Sequence, residues 1–292
     1  MQPNDLPPTL PAGENQRRLA VLIDADNAQP SVIEGLLAEI AKFGVAGVKR
    51  IYGDWTSTKH TQWKVTLLDH SITPIQQFAY TNGKNATDSS MIIDAMDLMY
   101  SQRLDGFCLV SSDSDFTRLA QRLREAGLLV YGFGEQKTPK PFVVACDKFI
   151  YTEVLRKAAP PALEASALTQ PASASVQAAT SRAPVATGET NSVHAAGVKL
   201  PKGQKSPVNL LSQAIEQGAD ESGWAFLGAV GNYLTKIQPD FDQRLYGCQK
   251  LSELIRKYPE VFETSERGAP GSSSKVVYAR VIAPKDPAKR AG

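Results

Sequence analysis

Cysteine is scarce in this 292-residue chain, and its three copies, Cys108, Cys146 and Cys248, lie far apart with no CxxC spacing. That excludes a disulfide framework and a thiolate zinc site, and it fits a reducing, cytoplasmic setting. Histidine is equally rare: His60, His70 and His194 share no motif, so nothing resembles a histidine acid/base pair or a histidine metal site. There is no apolar run of the roughly 18 residues that a membrane helix needs, and residues 1–20 contain no apolar core of a signal peptide. A surplus of one charge is missing as well, since 32 Lys and Arg stand against 30 Asp and Glu. Bulk charge therefore carries no argument for nucleic acid, which has to come from local arrangement. No internal repeat is found.

Between Pro160 and Ser206 aromatic residues are absent altogether, and Ala, Ser, Thr and Pro dominate. Such a stretch cannot bury enough apolar surface to offset its ordering entropy, so residues 158–206 are expected to be a disordered linker. It divides a domain at 17–157 from a smaller one at 207–283, with tails at 1–16 and 284–292. The overall apolar fraction of 42% suffices for two cores.

What the first domain has is alternation. Short apolar runs, LAVLI (19–23), VKRIYG (48–53), ITPIQQF (72–78), GFCLVSS (106–112) and LLVYGFG (128–134), read as strands. Helical patterns at 32–43, 89–100 and 116–127 separate them, the last closed by Gly127 as a C-cap. The order predicts an α/β fold with a mainly parallel sheet and helices on both faces, because strands so uniformly apolar are covered on both sides.

Carboxylates fall at the carboxyl ends of these strands, where open parallel sheets build their sites. Asp24 and Asp26 follow the first run, Asp113 and Asp115 follow GFCLVSS, and Asp88 opens the helix before it. Singly, each has an ordinary explanation: Asp88 and Asp115 as helix caps, Asp26 with Asn27 as a turn, Asp94 and Asp97 as a solvated helix face. As a set they are harder to explain, since like charges held together raise one another's pKa unless a cation lies among them. An oxygen-only cluster suits a hard ion such as magnesium or manganese. Ions of this kind, roughly 3.5 to 4 Å apart when paired, promote in-line displacement at phosphodiesters.

The ordered series LAVLIDADNA, GDW (53–55), GKNATDSSMIIDAMDLMY, LVSSDSDFTRLAQRLREAG, VYGFGEQKTP and FVVACDKFIY resembles an NYN domain of the PIN-like nuclease superfamily. The likeness covers nearly the whole first domain and implies a metal-dependent ribonuclease. In it Asp24, Asp88, Asp113 and Asp115 would line a magnesium or manganese site, with the polar Asn27 beside them as a further catalytic residue. One departure is visible: Ser112 stands where many relatives have Gly, which bears on the loop and not on the acids. Lys84 and Arg118 are the foremost candidates for RNA phosphate contacts, with Lys59, Lys137, Lys140 and Arg122 nearby. Trp55 and Trp63 are candidates for stacking on bases of single-stranded RNA.

In the smaller domain three helical patterns, from VNLLSQAIEQG, GWAFLGAVGNYLTKI and GCQKLSELIRKYP, precede a two-stranded wing formed by VFET and SKVVYARVI. Trp224, Leu227, Val230 and Leu234 are expected to form one apolar stripe. Three helices and a wing make a winged-helix arrangement. The order W-x-x-L, DF, YGCQKLSELI, YPEVF resembles a LOTUS (OST-HTH) domain, a family with both RNA-binding and protein-binding members. Lys250, Arg256 and Lys257 are its candidate RNA contacts, although Pro207 to Ala283 holds eight Lys and Arg against nine Asp and Glu.

Three other readings compete with this one. Asp24-Ala25-Asp26 after a strand also begins haloacid-dehalogenase-like phosphatases, but those need Thr or Val where Ala28 stands, and Asp88 would have no role. A dinucleotide fold from Gly132-Phe133-Gly134 lacks the third glycine. The remaining alternative is a catalytically weak or inactive RNA-binding regulator on the same nuclease fold.

Overall fold

In the computed structural model the described residues are 16–78, 86–156, 206–268 and 275–282. Lys84 and nearly all of the expected linker and tails lie outside them. Strands β1 (Arg18–Asp24), β2 (Val45–Gly53), β3 (Thr73–Gln76), β4 (Gly106–Val110), β5 (Leu129–Gly134) and β6 (Lys148–Tyr151) form one sheet. All five pairings are parallel, in the order β3-β2-β1-β4-β5-β6.

Side-chain alternation along the central strands explains why both faces must be covered. In β1, Ala20 and Leu22 pack against one apolar cluster, while Leu19, Val21 and Ile23 pack against another. In β4, Phe107 and Leu109 join the first and Cys108 and Val110 the second, so neither strand has a face for water. The first cluster is closed by α3 (Ala86–Tyr100), α4 (Thr117–Glu125) and α5 (Lys140–Ala145) through Met91, Ala95, Leu119, Leu123 and Phe142. The second is closed by α1 (Ile33–Ile40) and α2 (Trp63–Asp69) through Ile33, Leu36, Trp63 and Leu67. Gly127 takes a φ of 81° just beyond α4, as its expected cap role requires.

Helix α2, helix α5 and strand β6 are additions to the sequence reading. Each is short, at seven, six and four residues, so its periodicity is too brief to identify it.

The C-terminal residues carry their own core, built on α6 (Val208–Gln217), α7 (Leu227–Ile237) and α8 (Leu251–Arg256) with strands β7 (Ala225–Phe226), β8 (Phe262–Gly268) and β9 (Lys275–Val281). The wing has three strands rather than two, in the antiparallel order β7-β9-β8. The expected apolar stripe loses Trp224, because residues 225–226 pair with β9 and the helix starts only at Leu227. Trp224 instead lies beneath the guanidinium groups of Arg267 and Arg280, 5.0 and 4.8 Å from its ring.

These residues also touch the larger sheet. The edge strand β6 donates Phe149 N–H to Pro239 O at 2.9 Å, and Tyr151 Oη donates to Asp240 at 2.8 Å. Arg244 reaches Glu39 at 2.9 Å and Asp242 at 2.6 Å. Burial pushes the Glu39 carboxyl up, but hydrogen bonds from Lys42 and Arg244 more than offset this and hold it below its ordinary value.

Candidate active site

In the strand order the chain reverses direction of progress between β1 and β4, and this switch point is where a parallel sheet opens a crevice. Asp24 ends β1 and Asp113 follows β4, so the two acids are neighbours because of topology and not of sequence.

Asp24 is only 1% exposed, and both of its carboxylate oxygens accept hydrogen bonds from the fold. One oxygen accepts the N–H of Asp26 at 3.0 Å, and the other accepts Asn27 Nδ2 at 2.7 Å and Ser111 Oγ at 2.8 Å. Burial raises its pKa, opposed by the bonds from Asn27 and Ser111. Ser111 Oγ in turn accepts the N–H of Asp113 at 3.1 Å, which ties the end of β1 to the loop after β4. Ser112 accepts Glu135 N–H on its Oγ at 2.9 Å and joins that loop to the one after β5.

Asp113 caps the turn that starts the next helix, its Oδ1 accepting Asp115 N–H at 2.9 Å. Asp88 lies in the first turn of α3. One carboxylate oxygen from each of Asp88, Asp113 and Asp115 falls within 4.8 Å of the other two, the separation at which one cation can be held. The donor set is oxygen only, as a hard divalent ion prefers. Asp24 stands beside this trio and not among its three gathered oxygens. Its charge still reaches Asp88, whose pKa is raised to about 6 by burial first, then by Asp24, Asp113, Asp115 and Asp26. A helix N-terminus favours a carboxylate, and here it is outweighed.

That shift has a sign that can be measured. Between the ordinary carboxyl value and about 6 the folded protein binds more protons at Asp88 than the unfolded chain does, so this contribution to stability is full at low pH and lost as pH rises through 6. Without metal, the melting temperature of the wild type should fall relative to Asp88→Asn between pH 4 and 7. Parallel profiles for the two proteins would contradict the assignment.

From the sequence, Asp94 is expected on a solvated helix face. The structure corrects this: the Asp94 carboxylate accepts Arg50 Nη1 and Tyr52 Oη, each at 2.8 Å. It thereby fastens α3, two turns below Asp88, to β2. Asp97 is exposed, as expected. No signal within the helix distinguishes the two, because what separates them is the partner strand.

Among the other expected contacts, Arg118 is exposed on α4 and bonded to Gln121 and Glu125 at 3.2 and 3.4 Å. Trp63 is core, 1% exposed, while Trp55 is only partly buried. In the C-terminal part Lys250 is exposed, Arg256 pairs with Glu266 at 2.8 Å, and Lys257 Nζ donates to Tyr246 O at 2.9 Å.

Family models match this chain twice: the NYN domain over residues 18–155 and the OST-HTH/LOTUS domain over 199–273. The chain carries an NYN domain followed by an OST-HTH/LOTUS domain. NYN is a nuclease domain family, and the six-stranded parallel sheet flanked by helices is a PIN-like α/β fold. The acids described above therefore stand on a domain that belongs to a nuclease domain family. No curated protein matches the chain. Solved structures similar to it include the solution structure of an uncharacterized protein of Nitrosomonas europaea. It is 42% identical over 33% of this chain and 93% of that one, with a TM-score of 0.26. Another is the crystal structure of a protein of unknown function from Vibrio parahaemolyticus, 18% identical over 48% of this chain and 94% of that one, with a TM-score of 0.40. Among the described residues of the NYN and LOTUS domains, no helix is long and apolar enough to cross a membrane.

Proposed function

We propose that the NYN domain, residues 17–157, hydrolyses phosphodiesters of single-stranded RNA, and that the LOTUS domain, residues 207–283, binds RNA or a protein partner without chemistry of its own. The observation that carries this is the convergence of Asp88, Asp113 and Asp115 within 4.8 Å at the switch point of a nuclease-family sheet.

Asp24, Asp88, Asp113 and Asp115 would hold magnesium or manganese, which when bound supplies an activated water and charge stabilisation at the phosphoryl oxygens. The chain's own residues prepare the place. Asn27 and Ser111 keep Asp24 oriented with one of its four lone-pair positions unspent by their bonds and that of Asp26. Asp94, held by Arg50 and Tyr52, sets the helix that presents Asp88. Lys84 and Arg118 remain the proposed phosphate contacts of this domain. The test is cleavage of an unstructured RNA by the full chain with and without EDTA. An EDTA-resistant activity would rule out the metal mechanism.

For the LOTUS domain, Lys250, Arg256 and Lys257 are the proposed RNA contacts. Replacing Lys250 by Glu should weaken RNA binding by the full chain a few-fold and make it less salt-dependent by about one unit of slope. Lys250 is the cleanest probe, because reversing Arg256 or Lys257 also breaks an internal bond. Binding curves that superimpose on wild type at every salt concentration would favour a protein partner for this module.

A further inference from the structure

Beside the acids, on the β2 side of the switch point, a groove of about 450 Å³ runs between α2 and the start of β3. Trp55, His60, Lys64, Leu68, Ile72 and Pro74 line it. Its aromatic corner is built with care for position. Trp55 donates its indole Nε1–H to Ile75 O at 2.9 Å and its backbone N–H to Gln76 Oε1 at 3.0 Å, while Gln76 Nε2 donates to Asp54 Oδ1 at 2.9 Å. The His60 ring stands 5.4 Å from the indole, tilted by 53°. Its Nδ1 lies 3.1 Å from Asp54 O, a carbonyl that can only accept, so Nδ1 carries the proton. Gly53 lies close to the loop after β1: a Cβ there would stand 3.0 Å from Ala25 Cβ, tighter than an ordinary contact, and in ordinary contact with His60 Cε1 at 3.4 Å.

One wall of the groove, at His60, touches the acidic loop that follows β1. His60 Nε2 is 3.5 Å from Asp26 Oδ1, and Asp26 N–H is bonded to Asp24. The outer wall of the groove is apolar yet faces solvent, with Leu68 76% exposed and Pro74 exposed; the exposed Lys64 lines it, and the exposed Lys59 directly precedes His60 of its wall. Exposed Leu68 and Pro74 beside a pinned indole, edged by the Lys64 ammonium and linked through His60 to Asp26, suit a flat apolar ring on an anionic backbone.

We propose that this groove receives an unpaired nucleobase of the RNA strand, stacked on Trp55, next to the nucleotide whose phosphodiester meets the acids, with Lys59 and Lys64 taking adjacent phosphates. This rests on the ribonuclease reading and adds to it a requirement for a single strand, since a base held in a duplex cannot enter. Backbone phosphates alone would leave the apolar wall without a partner.

The test uses the full chain, calcium as the divalent ion, and a fluorescent oligoribonucleotide in which one nucleotide at a time is made abasic. Wild type should lose roughly tenfold in affinity at one position, the order expected for a lost base-aromatic stack. Trp55→Phe should keep that penalty and Trp55→Ala should abolish it, so that removing base and indole together costs no more than removing either. Leu68→Glu, at a position 76% exposed and outside the core, should weaken binding at an unchanged melting temperature. A flat abasic scan, an equal penalty in Trp55→Ala, or an unaffected Leu68→Glu overturns the proposal, the last pointing to a peptide as occupant. Cleavage in magnesium is scored separately. Coupling without cleavage would keep the groove and remove the nuclease reading, whereas cleavage with a flat scan would do the reverse.

Discussion

Asp113→Asn should lower the rate of RNA cleavage by the full chain about a thousandfold, the several kcal/mol that a correctly held metal contributes to the transition state, while its metal-free melting temperature stays level or rises. Two features of the site make the outcomes diverge. The side-chain oxygen that caps the following turn by accepting Asp115 N–H is retained in asparagine, so the local fold is kept. The charge is lost, and with it a repulsion that helps raise Asp88 to about 6. Metal affinity and rate should therefore fall together in a protein that is no less stable. Asp88→Asn should behave alike. Asp97→Asn, on the exposed face of the same helix, is the control and should cleave as wild type does. If Asp113→Asn retains the rate of that control, the acids do not hold a catalytic metal.

Asp24→Ala should be different in kind: it should abolish cleavage and also destabilise the folded protein by about 3 kcal/mol, a melting shift of roughly 10 °C for a domain of this size. A bare sequence argument makes Asp24 one more repelling carboxylate, whose loss ought to relieve strain. The structure reverses the sign for stability. Asp24 is the shared acceptor for Asp26 N–H, Asn27 Nδ2 and Ser111 Oγ, and truncation leaves those donors facing a cavity at a site that is almost wholly buried. An unmet buried donor costs about 1 to 3 kcal/mol, so the buried Ser111 hydroxyl together with the part-buried Asn27 amide and Asp26 N–H outweighs the relief of one desolvated charge. Ser111→Ala should show a milder form of the same defect. Equal metal-free melting temperatures for wild type and Asp24→Ala, read by calorimetry, would show that this network does not support the fold.

Much of this was written into the chain because it depends on near neighbours. Five strands and three helices announce themselves through alternating apolar runs, and parallel pairing follows from strands that cannot face water on either side. The acids are legible for the same reason: a carboxylate at the end of an apolar strand is brought to the edge of any parallel sheet. Short elements were not legible. The four residues of β6 and the six of α5 offer no full period, and the two residues of β7 become a strand only because β9 lies beside them.

Sequence by itself thus determined the layered α/β architecture, the succession of an NYN and a LOTUS domain, and the candidacy of Asp24, Asn27, Asp88, Asp113 and Asp115. Tertiary structure decided how those residues divide their work. It gathered Asp88, Asp113 and Asp115, kept Asp24 beneath hydrogen bonds from Asn27 and Ser111, and turned Asp94 from a solvated residue into the fastening of α3. It also separated Trp63, which is core, from Trp55, which faces a groove, and set Arg244 against Glu39 across a sequence separation of 205 residues. The physical reason is the same throughout. Hydrophobic periodicity is a local code, whereas the partner of a polar group, and hence its charge, burial and role, is chosen by residues that only folding brings within about 3 Å.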